Sequence, residues 1–386
     1  MISAHGVTAA TRWSGWVDKG LAWRDRLLAS PLFQRRAAAF VLTRPVARRH
    51  ARELFDLVAG FVYSQILSAC VQLRLFELLS EGPQTCEQLA ERTGLTVEAA
   101  RRLLDAAVAL RLLEHRSGQR FGLGELGAPM VGNTAVREMI RHHAALYADL
   151  ADPVGLLRTP EAERQHSALG RYWAYGAAAQ SDRPPDPRVG AYSSLMAASQ
   201  PLVADEVLDA YSLRGHRCLL DIGGGDGSFL ASAQRRSAAL QLMLFDLPAV
   251  AERGRARLAA AGLAGRSTVH GGDFLRDALP RGADIASLIR VLHDHDDGPA
   301  MQLLRAVRAA LPADGTLLLA EPMAGTPGAE AMGDAYFGFY LLAMGRGRPR
   351  KVTELVAMLK AAGFAGARLI PTRLPLQTQL LLARCK

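Results

Sequence analysis

The stretch LDIGGGDGSF, residues 220–229, decides the predicted fold, because an apolar strand runs there into a glycine-rich turn that opens a helix. Gly223, Gly225 and Gly227 let a ligand approach the backbone at places where side chains would block it. A dinucleotide-binding fingerprint needs its third glycine at the position of Ser228. The turn therefore predicts a nucleoside site without a pyrophosphate, although glycine turns also form for packing reasons alone.

Around this turn the sequence alternates strands with helical segments, which is typical of a parallel sheet covered by helices on both faces. Strands are predicted at residues 218–222, 240–245, 267–270, 285–292 and 316–320. Two C-terminal segments, 368–371 and 379–383, are predicted to pair antiparallel across a turn at Pro375. We therefore predict an α/β sheet that ends in an antiparallel hairpin.

Acidic residues follow the next two strands at the same predicted sheet edge. Asp246 lies 25 positions after Asp221, where a carboxylate can accept both hydroxyls of a ribose. Asp273 and Phe274 follow the third strand, where an adenine amino group and ring face would lie. Each acid alone could be a turn former or a helix cap, but three signals in this order favour a nucleoside site.

A histidine, His293, follows the strand predicted at 285–292. Its imidazole can accept a proton near neutral pH, and Glu321 at the end of the next strand could orient the ring. The same segment also offers Asp294, His295 and Asp297 as metal ligands. We expect no metal, because no further ligand with clear spacing follows, but this alternative stays open.

The segment 51–130 predicts a helical module of winged-helix outline. Thr85 begins a capped helix, another helix follows, and a hairpin turns at Gly118. Such a module either binds DNA, here through Arg101 and Arg102, or serves dimerisation and covers a substrate. The segment alone does not decide between these functions.

The chain has 386 residues and a net charge of +9, from 46 Lys and Arg against 37 Asp and Glu. A basic balance fits a nucleic-acid or anionic-membrane partner, but we interpret it as arginine-rich composition, since the arginines are spread along the chain.

The four cysteines are far apart, which favours a reducing compartment. Without a signal peptide or a long uninterrupted apolar run, the sequence predicts a cytoplasmic protein without a membrane-spanning helix.

The first 50 residues place tryptophans among basic residues. Trp13, Trp16, Trp23 and Leu27 fall near helical spacing. This pattern suits a helix in a membrane interface, here a peripheral contact with the inner membrane, or a helix packed on the protein or a partner subunit.

From about residue 50 onward, the motifs above resemble S-adenosylmethionine-dependent O-methyltransferases of the caffeate/acetylserotonin type. The resemblance implies a Rossmann-like class I methyltransferase sheet over 191–386 and a winged-helix-like dimerisation module with connecting helices over 51–190, after an extension over 1–50. It implies a homodimer that binds no nucleic acid. It implies His293 as general base, supported by Glu321. The implied contacts to S-adenosylmethionine are Asp221, Gly223, Gly225, Asp246, Leu247, Asp273, Phe274 and Arg290.

Three positions depart from the family pattern. His295 stands where the family has a tryptophan, and Pro349 stands where it has a second supporting glutamate. Ile289 replaces a cofactor-contacting lysine, for which the adjacent Arg290 is a candidate substitute. These departures keep open the alternative of a catalytically inactive dimer partner.

Residues 321–328 and 332–344 show a narrower resemblance, to bacterial hydroxyneurosporene O-methyltransferases of carotenoid synthesis. It implies a hydrophobic acceptor, most simply the 1-hydroxy group of an acyclic carotenoid. The implied acceptor contacts are Met196, Met332, Phe337, Tyr340 and Met344. The segment could equally be an ordinary core helix, and a phenol, a polyketide, a tetrapyrrole or a DNA-binding regulatory role remain alternatives.

Overall fold

The computed structural model describes residues 6–164, 166–171, 200–375 and 378–385. Packing divides the chain into two units, Met1–Ala128 and Pro129–Lys386. The domain boundaries predicted at residues 50 and 190 stay predictions, and the second lies outside the described residues, as does Met196.

The first unit combines helices with a small sheet, as expected. Its helices are α1 Gly6–Leu28, α2 Pro31–Ala39, α3 Arg44–Gln72, α4 Leu75–Ser80, α5 Cys86–Thr93 and α6 Val97–Ala109. Its strands are β1 Gln84–Thr85, β2 Leu113–Arg116 and β3 Arg120–Leu123, in the order β1-β3-β2. Thr85 caps α5 in a reciprocal capping box with Gln88, which confirms the predicted helix start. The hairpin predicted around Gly118 is also confirmed.

Helix α3 is more apolar than expected from the sequence. An 18-residue window in this helix reaches a mean hydropathy of 1.7. By length and composition alone, the helix is long and apolar enough to cross a membrane. Large apolar side chains, among them Leu54, Leu57, Val58 and Phe61, are exposed on it. Exposed apolar faces of this size mark interaction sites, and the described residues leave this one uncovered.

The second unit is built on a sheet of seven strands in the order β6-β5-β4-β7-β8-β10-β9. The strands are β4 Cys218–Ile222, β5 Gln241–Asp246, β6 Ser267–Gly271, β7 Ile285–Ile289, β8 Thr316–Glu321, β9 Gly366–Ile370 and β10 Gln379–Arg384. Strands β4 to β8 pair in parallel, and β10 pairs antiparallel with β8 and β9. The predicted sheet and its C-terminal hairpin are confirmed.

Helices cover the sheet in this unit. They are α7 Thr134–Asp149, α8 Pro153–Arg158, α9 Glu161–Arg164, α10 Ser228–Arg236, α11 Pro248–Ala260, α12 Asp297–Ala310, α13 Phe337–Met344 and α14 Val352–Ala361, together with helical residues 200–210.

Alternate residues of β4 enter two different apolar clusters. Leu220 and Ile222 pack in one cluster, whereas Leu219 packs in the other. Burying each such side chain contributes about 1.5–3 kcal/mol to folding, so the central strands are apolar on both faces. Strand β4 lies between β5 and β7, and this change of direction in strand order opens a crevice at the carboxyl ends of the strands.

Candidate active site

The segment that carries His293 differs from its predicted geometry. Strand β7 ends at Ile289, so the prediction that it continues to residue 292 is wrong. Arg290 follows with φ 58°, a left-handed conformation that a side chain disfavours. The chain then forms a 3-10 turn over Leu292–Asp294. His293 therefore stands on a tight turn beyond the strand and not on the strand's own end.

The buried carboxylate of Glu321, at the end of β8, organises this turn. Its Oε1 accepts hydrogen bonds from the backbone N–H groups of Val291, at 3.1 Å, and Leu292, at 2.7 Å. Its Oε2 contacts Nδ1 of His293. A carboxylate can only accept, so Nδ1 carries the hydrogen and Nε2 is left as the nitrogen that can take up a proton.

A second carboxylate faces the other side of the imidazole. Asp294 Oδ1 lies 3.2 Å from His293 Nε2. Burial disfavours the charged imidazolium and the cation of Arg290 opposes it, but the carboxylates of Asp294 and Glu321 outweigh both and raise the pKa of His293. Burial also raises the pKa of Asp294, to about 6. His293 is thus a buried imidazole held between two carboxyl groups.

The loop that lacks the family's second glutamate still supports this turn. Arg350 is buried, and its guanidinium donates to the carbonyl oxygens of Leu292, at 2.9 Å, and His295, at 2.6 Å. The backbone N–H of Arg348 donates to the carbonyl of His293, at 2.9 Å. Arginine and backbone contacts therefore brace the turn, while Asp294 supplies a second carboxylate near the imidazole.

A change of Asp294 to asparagine tests this arrangement through the pH profile. As the predicted general base, His293 must be neutral to accept a proton, so activity should rise with pH through the pKa of His293, above its ordinary value of about 6.5. Asp294→Asn removes a negative charge beside Nε2 and should move the rising limb of kcat/KM to lower pH. Initial rates across the pH range measure this shift.

The control for this experiment is Asp314→Asn, the same chemical change at an exposed position of the same unit. Asp314 lies in the turn before β8, at the opposite end of that strand from Glu321. In this control variant, the rising limb of kcat/KM should stay at the same pH as in the parent protein. A limb that does not move in Asp294→Asn would contradict the role given to that carboxylate.

The glycine turn after β4 leaves room for a ligand. Gly225 has φ +61°, and a Cβ there would meet nothing within 4 Å. At Gly223, with φ +66°, a Cβ would lie 2.9 Å from the Val291 side chain. Asp221 lies under the turn, fully buried, with Oδ1 accepting from Ser287 Oγ at 2.6 Å and Oδ2 without a hydrogen-bond partner among the described residues. An open turn beside a vacant acceptor fits a polar ligand.

Asp246 is fixed at the end of β5, next to this turn. Its Oδ2 accepts from the Gly225 N–H at 2.8 Å, and its Oδ1 accepts from the Leu247 N–H at 2.7 Å. Burial raises the pKa of Asp246 to about 6, against the two N–H bonds that lower it. Each oxygen keeps a second lone pair for a ligand hydroxyl, so the geometry fits the predicted ribose contact.

His295, which stands in place of the family's tryptophan, contacts the predicted adenine site. Its ring packs edge-on against Phe274, with 5.3 Å between ring centroids and an interplanar angle of 87°. Burial lowers the pKa of His295 to about 4, so the ring is neutral at ordinary pH. Asp273 beside it accepts from the Leu275 N–H at 2.9 Å. The histidine thus acts as an aromatic support for Phe274.

The predicted acceptor contacts divide into two groups. Phe337 lies edge-on to His293, with 6.0 Å between ring centroids, and a π-helical segment Ala331–Tyr336 that includes Met332 leads into it. Tyr340 and Met344 are instead buried in an apolar cluster with α7 and α8 residues. Phe337 is therefore placed at the base, whereas Tyr340 and Met344 pack mainly as core residues.

Two histidines of α7 contact tyrosines of the segment that carries the predicted acceptor residues, and the sequence pattern does not predict either contact. His142 Nε2 lies 2.9 Å from the Tyr340 hydroxyl, and His143 Nε2 lies 2.8 Å from the Tyr336 hydroxyl. Burial lowers the pKa of His142 to about 4 and also lowers that of His143, so both rings are neutral. Two adjacent histidines on a helix carry no local signal, because their partners lie almost 200 residues away.

Two other expectations concern cations. Within the described ranges, no group of three or more His, Cys, Asp or Glu side chains is placed to hold a metal ion. Arg290, the candidate substitute for the family lysine, donates from Nη2 to Gln200 Oε1 at 2.9 Å. Its contact with a cofactor stays a prediction.

Comparison with known families matches both parts of the chain. A model of the O-methyltransferase dimerisation domain matches residues 55–136, and a model of the O-methyltransferase domain matches residues 147–365. The dimerisation match includes most of the exposed apolar face of α3, so a second copy is the expected cover for that face.

Individual proteins agree with the family match. The chain is 46% identical over 349 residues to the demethylspheroidene O-methyltransferase of Cereibacter sphaeroides, covering 90% of each. It is 32% identical to the acetylserotonin O-methyltransferase of Mus musculus, covering 85% of this chain and 87% of that protein. Among solved structures, the calicheamicin-biosynthesis methyltransferase CalO1 in its SAH-bound form superposes with a TM-score of 0.73 at 26% identity, covering 88% and 98% of the two chains.

Proposed function

We propose a specific reaction for this chain, which belongs to the family of S-adenosylmethionine-dependent O-methyltransferases with a dimerisation domain. In this reaction it methylates a hydroxyl group of an acyclic hydroxycarotenoid, with His293 as general base. The observation that carries the choice of acceptor is the 46% identity, over nine-tenths of both chains, to an enzyme named for demethylspheroidene. Phe337 beside His293 supports an apolar acceptor. We propose a homodimer, supported by the match to a dimerisation domain, and a cytoplasmic location, supported by four free cysteines.

When bound, S-adenosylmethionine supplies an electrophilic methyl group on a sulfonium. The residues that would hold it are the open turn at Gly225, the carboxylate of Asp246, and the pair Asp273 and Phe274. Their task is alignment, because holding reactants in line accounts for much of the rate gain in a displacement.

His293 has the task of moving the proton. An aliphatic alcohol is a far weaker acid than an imidazolium ion, so the hydroxyl proton passes to Nε2 while the oxygen gains its new bond. Asp294 Oδ1 lies 3.2 Å from Nε2, and the acceptor hydroxyl would replace it as the hydrogen-bond partner of Nε2. The carboxylates of Asp294 and Glu321 then stabilise the imidazolium that results. General-base assistance of this kind contributes about 100- to 10,000-fold to the rate.

The acceptor is tested with purified protein, labelled cofactor and a panel of hydroxylated acceptors. The panel holds demethylspheroidene, a phenol, a polyketide and a tetrapyrrole. We expect label transfer and a mass gain of one CH2 group on the carotenoid alone. Transfer to another class would contradict the proposed acceptor, and cofactor binding without transfer to any of them would favour the inactive dimer partner.

The DNA-binding alternative receives less support. Arg101 and Arg102, its predicted contacts, form ion pairs with Glu87, at 3.6 Å, and Glu98, at 3.2 Å. The module that carries them matches a dimerisation domain. A gel-shift experiment in which the protein binds DNA, and binds it more weakly as salt is added, would support this alternative.

A further inference from the structure

The net charge of the chain is concentrated at one end. Residues 1–53 hold ten Lys and Arg against three Asp and Glu, which gives +7 of the total +9. The remaining residues are close to neutral. Although the arginines are spread along the chain, this segment has only three acidic residues to balance its ten basic ones, so arginine-rich composition alone does not account for the imbalance.

The same segment exposes its large apolar side chains. We call residues 16–53 the arm; none of its side chains is buried within the described chain. Trp16 is 76% exposed, Trp23 63%, Phe40 58% and Leu42 77%. A soluble surface seldom combines so many exposed apolar groups with a strong single-sign charge.

The arrangement on α1 is amphipathic. Trp16, Trp23 and Leu27 recur at intervals of seven and four residues, which places them along one side of the helix. Lys19 lies over the Trp16 ring, 5.8 Å from its centroid. Tryptophan rings beside cations suit the headgroup level of a bilayer, where the ring meets acyl chains and the cation meets phosphate.

We propose that the arm docks the protein on the surface of an anionic lipid bilayer. Charge complementarity selects this occupant, because the arm carries a net charge of +6, and a basic segment with exposed tryptophans matches negative headgroups over an apolar interior. The arm also lies before residue 55, where the match to the dimerisation domain begins. Access to a bilayer-dissolved acceptor is a benefit that rests on the proposed function, whereas lipid binding itself does not.

The chain's own tryptophans report the binding. Three of the four, Trp13, Trp16 and Trp23, lie in or next to the arm, so Trp173→Phe leaves only these as fluorophores. Full-length protein is mixed with vesicles of phosphatidylcholine and about one-third phosphatidylglycerol. We expect a blue shift and quenching by brominated lipid, weakened by added salt and weak or absent with phosphatidylcholine alone.

Matched charge reversals separate the arm from the rest of the surface. Arg35→Glu with Arg36→Glu should lower partitioning onto anionic vesicles by about tenfold or more. Arg281→Glu with Arg305→Glu, at exposed positions of the other unit, makes the same charge change and should lower it far less. Calorimetric uptake of S-adenosylmethionine should be equal in both variants and the parent, so this result does not depend on the acceptor.

Two outcomes would overturn the proposal. One is no uptake on anionic vesicles by the parent protein, and the other is an equal loss of uptake in the two double variants. If the parent shows no uptake and the Arg35→Glu, Arg36→Glu variant sediments as a monomer while the parent is a dimer, a second copy covers the arm in place of a bilayer.

Discussion

Replacing His293 with glutamine is expected to reduce turnover by about 100- to 10,000-fold, the range that a general base contributes. Glutamine has a similar reach but cannot take up a proton near neutral pH. Binding of S-adenosylmethionine should be unchanged, because the glycine turn and Asp246 lie on other strand ends. Single-turnover rates at saturating acceptor measure the loss, and calorimetry measures the cofactor binding.

The control for this variant is His115→Gln, which makes the same replacement at an exposed position on the hairpin of the first unit. It should keep the parent turnover. Parent-like turnover in His293→Gln would remove His293 from the role of base. A joint loss of turnover and cofactor binding would instead indicate that the turn had collapsed.

Replacing Asp246 with alanine is expected to weaken cofactor binding by about 100-fold or more. Each hydrogen bond to a charged group contributes about 1.5–3 kcal/mol, and two ribose hydroxyls would lose their acceptor. The Gly225 N–H would lose its partner as well, which loosens the turn. Titration calorimetry with S-adenosylmethionine measures the dissociation constant, and the exposed Asp314→Ala serves as control.

The same carboxylate predicts a pH dependence of binding in the unaltered protein. Burial raises the pKa of Asp246 to about 6. Below that pH the group is protonated and accepts hydrogen bonds less strongly, so cofactor affinity should fall as pH drops through 6 and hold steady above it. A cofactor affinity that does not change as pH drops through 6 would contradict the ribose contact. An Asp246→Ala variant that binds the cofactor as tightly as the parent would contradict it as well.

The sequence contained enough information for most of the sheet. The strand β4 and its glycine turn, the acids at 246 and 273, and the Thr85 cap were all predicted near the positions where they occur. These features depend on neighbours within a few residues, because apolar alternation, glycine turns and caps are local interactions.

The end of β7 could not be predicted in the same way. Apolar residues resume at Val291 and Leu292 after Arg290, but the backbone leaves the sheet at Arg290. The buried Glu321 carboxylate, about 30 positions further on, draws the N–H groups of the following residues into a turn. A hydrophobic pattern carries no record of such a bond.

The amino-acid pattern alone predicts the order of the elements and which residue types stand at the strand ends. Packing between distant segments places Asp294 beside His293, His295 against Phe274, and His142 against Tyr340. The two differ in range, because secondary structure follows from neighbours along the chain, whereas the direction of a buried side chain follows from packing against segments that are far away in sequence.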